Sequence, residues 1–310
     1  MPEVSEVCIL SQYLNTKLQG RTLKKMEILS GKYTKNKIKN SKLLDGSEDY
    51  IIENVDSKGK QLWMTLRNKK NDNLVYLLSH LGMTGFWNFQ KNSSSRIQFE
   101  ISNEDDTKTY FLYYDDDRNF GNIEITDSDI EFNDKIDGLA PDALKTKYSI
   151  DDFVDWYKDF VNKSKSRADK NITLTLLKQK KSEGIVSGIG NYLVAEILYE
   201  SKISPHRTLG SLSKSEIKNL GKAIQYITKL SYYNNMTGYM THFDDFIKIH
   251  KERVDKGIYP NFHEHIKLKK NEKFKFKVYR KNTDPLGNEV EADKSIQKTR
   301  TTYWVPNVQI

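Results

Sequence analysis

The hydrophobic period of this chain changes along its length, and that change limits the fold more than any single motif. Residues 4–18 place Val4, Val7, Leu10, Leu14 and Leu18 near a helical spacing, with Gly20 as a stop. From there to about residue 130 the signal is that of strands. QLWMTL, NLVYLLSHL, SRIQFEI and TYFLYYD are β-branched or aromatic and partly alternating, and charged or Gly/Asn-rich stretches separate them. They predict a β-rich first domain of two packed sheets. FNDKIDGLAPDALK (132–145) reads as a hinge. Beyond it the period becomes helical in SIDDFVDWYKDFVNK, NITLTLLKQKK, NYLVAEILYESKI and SKSEIKNLGKAIQYITKLSYY, the last opened by a capping box at Ser213 and Glu216. The tail changes again. KFKFKVYRK alternates as a strand, Asp284-Pro285-Leu286-Gly287 is turn chemistry, and RTTYWVPNVQ reads as a second strand, so one β-hairpin is expected. A lone hairpin is marginal in water and must lean on something.

Charge narrows the partners. The formal net charge is +8 over 310 residues and the isoelectric point is about 9.1, a balance that suits a polyanion. The hairpin region, 267–300, carries 11 basic and 5 acidic residues. Cys8 is the single cysteine, which excludes an intramolecular disulfide and a multi-cysteine zinc site, and fits a reducing compartment. No apolar run approaches the roughly 20 residues that span a bilayer. The N-terminus shows acidic residues where a secretion signal would be basic.

Five stretches can carry chemistry. MPEVSEVC crowds Glu3 and Glu6 around Pro2. A terminal proline is a secondary amine, and an α-amino group titrates near ~8, so a usable fraction is unprotonated at neutral pH. Such an amine attacks a carbonyl carbon to give a cationic iminium, and a nearby carboxylate moves protons. The plain alternative is a proline at the first position of a helix, where its missing N–H costs nothing. SKGKQLWM (57–64) puts Lys58 and Lys60 before a strand; the alternative is a solvated turn. HLGMTGFW (80–87) brackets Met83 with glycines; the alternative is a core methionine. DDDRNFG (115–121) presents Arg118 and Phe120, or is a surface turn. SGIGN (187–191) opens a helix, whose N–H groups form an anion site to which Asn191 adds a donor.

Taken together, these stretches resemble the DNA glycosylase family of formamidopyrimidine-DNA glycosylase and endonuclease VIII. The likeness runs through MPEVSEV, SKGK.LW, HLGMTG, DRNFG, LAPDAL, SGIGNYLVAEILY with ISPHR, and RTTYW, nearly the whole chain. It implies an α+β fold in which an N-terminal helix and a two-layer β-sandwich (1–132) are joined by a hinge (133–147) to a helix–two-turns–helix domain (148–266). A zincless-finger hairpin (267–310) follows. It implies a bifunctional DNA glycosylase/AP lyase of base excision repair. Its partner would be DNA with oxidised bases or abasic sites, with no cofactor, no metal and no membrane, and it would act as an intracellular monomer.

The resemblance also implies residue roles. Pro2, terminal once Met1 is removed, attacks C1′ of the damaged nucleotide. Glu3 transfers the proton that opens the deoxyribose ring, and Glu6 supports. Lys60, grouped with the catalytic residues, holds the phosphate at the lesion, with Lys58 as runner-up. Asn191 and Arg300 are the other phosphate clamps. Met83, Arg118 and Phe120 fill the gap left by the extruded nucleotide. Three departures stand out: Val4-Ser5 where the family has Gly-Pro or Leu-Pro, Asn119 where many members have arginine, and no cysteine in the tail, where most bacterial members bind zinc. The last points to a zincless endonuclease VIII-like enzyme, of animal or giant-virus type, acting on oxidised pyrimidines and hydantoins by β- and δ-elimination. The alternatives are a formamidopyrimidine/8-oxoguanine glycosylase and a non-catalytic binder of damaged or single-stranded DNA.

Overall fold

The computed structural model describes residues 2–103, 108–234, 244–257, 262–270 and 272–310. Their contacts divide the chain into two units. One is 1–2 with Glu6–Asp137, and the other is Glu3–Ser5 with Gly138–Ile310.

Helix α1 (Val4–Leu18), which belongs to the first unit from Glu6 on, follows the apolar spacing of the sequence and ends at Gly20, whose φ of +81° is open to glycine. Val7, Leu10, Leu14 and Leu18 are fully buried. The strands are β1 (Thr22–Ile28), β2 (Tyr50–Lys58), β3 (Gln61–Asn68), β4 (Leu74–His80), β5 (Phe86–Asn88), β6 (Ser95–Ser102), β7 (Thr109–Asp115) and β8 (Asn122–Thr126). They form one antiparallel ladder in the order β5-β7-β6-β1-β2-β3-β4-β8. The ladder is thin at its middle. Only Thr22↔Ile51 and Leu23↔Tyr50 join β1 to β2, and bulges follow in β1 after Leu23 and in β2 after Ile52. Bulges bend a strand, and the sheet turns back on itself there into the two layers of a sandwich. Trp87 on β5 closes the fold: it is fully buried and its indole N–H donates to Ser79 Oγ on β4 at 3.1 Å. α1 lies along β2, where Asn15 Oδ1 accepts the Val55 N–H beside the bulge at 2.7 Å.

The stretch expected to be a hinge begins inside a helix, α2 (Asp129–Asp137). Phe132 stacks on Tyr76 at 3.9 Å and meets Trp63 edge-on. The division between the units falls just after this helix.

The second unit is helical, as its period required. It comprises α3 (Ile150–Asn162), α4 (Lys165–Ala168), α5 (Ile172–Leu176), α6 (Asn191–Ser201), α7 (Lys214–Asn234) and α8 (Asp244–Asp255). The Ser213/Glu216 capping box forms, with Ser213 N–H on the Glu216 carboxylate at 2.7 Å and Glu216 N–H on Ser213 Oγ at 3.3 Å. α3 packs on α7 at Gly221, where a Cβ would meet the Phe153 ring at 2.6 Å. α6 is buried on nearly every side, as a central helix must be.

The tail corrects the sequence expectation. KFKFKVYRK forms no strand. The paired strands are β9 (Glu291–Asp293) and β10 (Thr302–Trp304), in register Thr302↔Asp293 to Trp304↔Glu291. The physical reason lies on α6: the N–H groups of Lys277, Val278 and Tyr279 donate to the Glu196 carboxylate at 2.9, 3.1 and 2.9 Å. A segment whose amides bind a side chain does not build a ladder. The Asp-Pro turn does form, with Gly287 N–H on Asp284 O at 3.1 Å and φ of +86° at Gly287.

Candidate active site

Glu3 is almost fully buried. Its carboxylate accepts three backbone N–H groups at the start of α6: Gly190 at 2.7 Å, Tyr192 at 3.0 Å and Leu193 at 3.1 Å. The anion expected at SGIGN is therefore supplied by the chain itself, and the positive end of the helix dipole faces it. Three donors leave the carboxylate no rotational choice, and Pro2, also buried, is its covalent neighbour. The Val4-Ser5 departure fits without disturbance: Val4 N–H donates to Gly188 O at 3.0 Å and Ser5 Oγ to Thr228 O at 3.4 Å. Glu6 is buried in the first turn of α1.

The two lysines of SKGK separate. Lys58 Nζ donates to Ile136 O at 2.8 Å, a structural tie to α2. Lys60 sits in the two-residue turn between β2 and β3, where Gly59 has φ of +58°, as a tight hairpin requires. It lies near His80 at the end of β4. Partial desolvation of the ring first, then the Lys60 and Lys135 ammonium groups, hold the imidazole of the solvent-facing His80 below its ordinary range against the pull of Glu124. Its Nδ1 accepts the Gly82 N–H at 3.2 Å. Sequence reasoning misses His80, because a lone histidine at a strand end carries no spacing signal.

Met83, Arg118 and Phe120 come together from two loops. Met83 is half-buried and outside the core, while Arg118 and Phe120 are exposed, Phe120 by 56%. The Arg118 guanidinium lies 5.1 Å from the Phe120 ring centre. A Cβ on Gly82 would sit 2.5 Å from the Phe120 carbonyl carbon, so the loops touch only because residue 82 has none. Asp116 fastens them: fully buried, it accepts Thr84 Oγ1 at 2.9 Å and Gly121 N–H at 2.7 Å. In the sequence it is one of three consecutive aspartates, and nothing in the run separates it from its exposed neighbour Asp117.

In the helical unit Asn191 opens α6, and its Oδ1 is buried with no protein partner among the described residues. Arg300 is exposed in the turn between β9 and β10. The tail has no cysteine, and among the described residues no three His, Cys, Asp or Glu side chains group to hold a metal. The tail is held by apolar packing and carboxylates. Val278, Val290 and Val305 bury against Ala195 and Tyr199 of α6, with Tyr279 and Tyr303 alongside. Asp284 accepts the Tyr199 hydroxyl at 3.0 Å and the N–H groups of Leu286 and Asn288. Burial pushes the Glu196 carboxyl up, against its three amides and Lys277.

The helical unit also contains an open cavity of about 850 Å³ lined by Tyr233, Lys251, Lys273, Phe274, Lys275 and Phe276, among others. Phe274 and Phe276 meet the Tyr192 ring at 5.8 and 5.5 Å, and Tyr192 N–H is one of the three donors to Glu3.

Three family models match in succession. They are the formamidopyrimidine-DNA glycosylase N-terminal domain over residues 1–123, its H2TH domain over 139–240 and its C-terminal domain over 264–310. The formamidopyrimidine-DNA glycosylase of Mycoplasmopsis pulmonis (strain UAB CTIP) is 31% identical over 268 residues, covering 82% of this chain and 88% of that protein. That of Prochlorococcus marinus (strain MIT 9301) is 28% identical over 330 residues, with all of both chains covered. Among solved structures, the MutM (Fpg) protein of Thermus thermophilus superposes with a TM-score of 0.69 at 22% identity, covering 99% of this chain and 98% of that one. MutM in complex with carbocyclic 8-oxo-G containing DNA gives 0.70 at 20% identity over the whole of both chains. The structural matches speak for the fold. The sequence matches go further: in three consecutive domains, the chain belongs to the formamidopyrimidine-DNA glycosylase family, DNA glycosylases of base excision repair that also have AP lyase activity.

Proposed function

We propose that this chain excises oxidised bases from DNA and then cuts the strand by β,δ-elimination, with Pro2 as nucleophile once Met1 is removed. The observation that carries the reading is the buried Glu3 carboxylate, oriented by the Gly190, Tyr192 and Leu193 amides beside Pro2. The Pro2 nitrogen attacks C1′. The bond from C1′ to the base breaks, and the base leaves with its electron pair and takes a proton from solvent. The Pro2 nitrogen, now an ammonium, gives its remaining proton to the Glu3 carboxylate, and Glu3 passes that proton to the ring oxygen O4′; the C1′–O4′ bond breaks, the sugar opens, and the nitrogen is left in a cationic iminium. Having no proton to lose, that iminium stays cationic and acidifies the C2′ hydrogen. Its removal expels the 3′ phosphate, and a second elimination expels the 5′ phosphate.

Glu6 supports the proton transfers. Lys60, Asn191 and Arg300 hold phosphates, which positions the duplex without reading its sequence. Met83, Arg118 and Phe120 occupy the space of the extruded nucleotide and offset its lost stacking. In this reading residues 1–132 form the catalytic domain, 133–147 a hinge, 148–266 the helix–two-turns–helix domain and 267–310 the finger.

Within the family the reading favours a zincless endonuclease VIII-like enzyme acting on oxidised pyrimidines and hydantoins. Its supports are the tail packed by valines and tyrosines and the cavity beside Tyr192, where aromatic faces and lysine donors suit a small ring rich in carbonyl oxygens. The names of the relatives favour a second reading, formamidopyrimidine and 8-oxoguanine excision.

Borohydride added during reaction with abasic-site DNA should trap a covalent complex, and peptide mapping should place the DNA on residue 2. DNA on Lys58 or Lys60 would return Pro2 to the role of a helix-starting proline. A panel of single-lesion oligonucleotides separates the two substrate readings.

A further inference from the structure

Residues 31–42, GKYTKNKIKNSK, carry five lysines and no acidic residue. A charge run of this kind is ordinarily a solvated loop, but this one is fixed. Tyr33, Ile38 and Leu44 are buried beneath it. Two 3-10 turns, Gly31–Thr34 and Ser41–Leu44, shape it, and Asn40 Nδ2 ties it to Ile125 O at 3.2 Å.

Its near end is fastened to the loop that carries Arg118 and Phe120. Lys32 N–H donates to Asn119 Oδ1 at 3.1 Å, and Lys32 Nζ donates to Gly121 O. A Cβ on Gly31 would collide with the Asn119 side chain and with Arg96 Cδ. Asn119 stands in the left-handed region, φ of +55°, and its side chain is the post to which the lysine loop is tied. One lysine is neutralised, since Lys39 pairs with Glu131 at 3.2 Å. Lys35 and Lys37 are exposed, and among the described residues neither meets a carboxylate.

We propose that the 31–42 loop is a further phosphate-contacting surface, in which Lys35 and Lys37 grip duplex DNA flanking the point where Phe120 enters. The inference rests on the proposed reading of Arg118 and Phe120 as groups that enter DNA. An exposed aromatic side chain that wedges into a stack displaces the neighbouring backbone, and cations on a loop tied to the wedge's own loop at Asn119 and Gly121 are placed to hold that backbone. The buried anchors lower the side-chain and loop ordering that binding would otherwise cost. The contact reads no sequence and no lesion, so it acts on undamaged duplex as well.

The test is a salt titration of binding, by fluorescence anisotropy, to undamaged duplex and to duplex carrying a reduced abasic site. The double variant Lys35→Ala/Lys37→Ala should lower the slope of log K against log salt by about two on both DNAs, since every phosphate no longer neutralised takes about 0.9 from the slope. Affinity at low salt should fall roughly tenfold or more. Lys35→Arg/Lys37→Arg should keep the original slope. An alanine variant with the unmodified slope on both DNAs would overturn the proposal. Borohydride trapping on the unmodified protein is scored separately. If it traps at residue 2 while the slope does not change, the loop proposal falls and the enzymatic reading stands. If the slope drops but nothing traps, the loop remains a DNA contact and the enzymatic reading falls.

Discussion

The β-rich unit and the helical unit hold their backbones by different means. In the first, an eight-strand ladder carries the fold, and carboxylates bind backbone only a few residues away, as Asp45, Asp56 and Asp116 do at Ser47, Ser57 and Gly121. In the second, carboxylates also bind backbone from far along the chain: Glu3 takes three amides at one end of α6 and Glu196 takes three from the tail, while Asp284 takes two in its own turn. Where the ladder holds the chain, side chains such as Arg118 and Phe120 stand in solvent. Where carboxylates hold it, removing one leaves several buried N–H groups without acceptors. The two units should therefore respond very differently to single substitutions.

The largest contrast concerns Glu3, which belongs to the helical unit by contact yet is the covalent neighbour of Pro2, the proposed nucleophile. Glu3→Gln keeps one acceptor oxygen for the α6 amides and loses proton transfer. Base removal should fall roughly 10²–10⁴-fold, the usual range for a positioned acid or base, while cleavage of a pre-formed abasic site falls much less. Equal losses on lesion and abasic DNA would assign Glu3 to structure alone.

Glu196→Ala removes the partner of three tail amides. With roughly 1–3 kcal/mol for each unsatisfied buried group, and partial relaxation, a cost of about 3–5 kcal/mol is expected. Hydrogen exchange should show the tail losing protection while the strands of the first unit keep theirs. Uniform loss across both units would break the comparison.

Acid sharpens it further. Burial first, then His265 and Lys229, depress the His263 imidazole to about 4, with the Ala143 carbonyl opposing. Between about 6.5 and 4 the unfolded chain binds a proton that the folded chain does not, so stability is lost as pH falls through that window. A shift of this size corresponds to roughly 3 kcal/mol when complete. His250, buried and bonded to Tyr232 O at 2.9 Å, is shifted the same way. Glu196, whose carboxyl burial pushes up, works in the opposite sense. Denaturant midpoints at pH 7 and pH 5 should differ, and His263→Gln should shrink the difference. A difference that His263→Gln leaves unchanged would show that His263 titrates freely.

The sequence disclosed what depends on local pattern. The spacing of Val7, Leu10 and Leu14 required α1, the alternation in QLWMTL and SRIQFEI required strands, and Ser213 with Glu216 marked the start of α7. It hid what depends on distant partners. KFKFKVYRK alternates as a strand does, but its amides are claimed by Glu196, some 80 residues earlier. Glu196 itself reads as a surface glutamate. Helix α2 was obscured because its inward contact is essentially one residue, Phe132 on Tyr76 and Trp63, too little to establish a period. In the site, the N-terminal motif made Glu3 stand out, yet only the fold shows the helix N-terminus bound to Glu3.

The smallest effect expected is on stability at Phe120, and it separates display from support. Phe120 is 56% exposed and touches the Arg118 guanidinium. The loop beneath it is held by Asp116, Gly82 and Gly121, none of which needs the ring. Phe120→Ala should therefore change the stability read from denaturant unfolding by no more than about 0.5 kcal/mol, as surface substitutions do. On DNA the same change should cost far more, because the ring is proposed to offset lost stacking, worth about 1–3 kcal/mol for an aromatic–base contact. Asp116→Ala should do the reverse, destabilising the free protein by about 1–3 kcal/mol through the orphaned Gly121 N–H and Thr84 hydroxyl. Should Phe120→Ala unfold the protein as readily as Asp116→Ala, the ring would be part of the support, and the division between a fixed base and a displayed tip would fail in the unit where it is drawn most clearly.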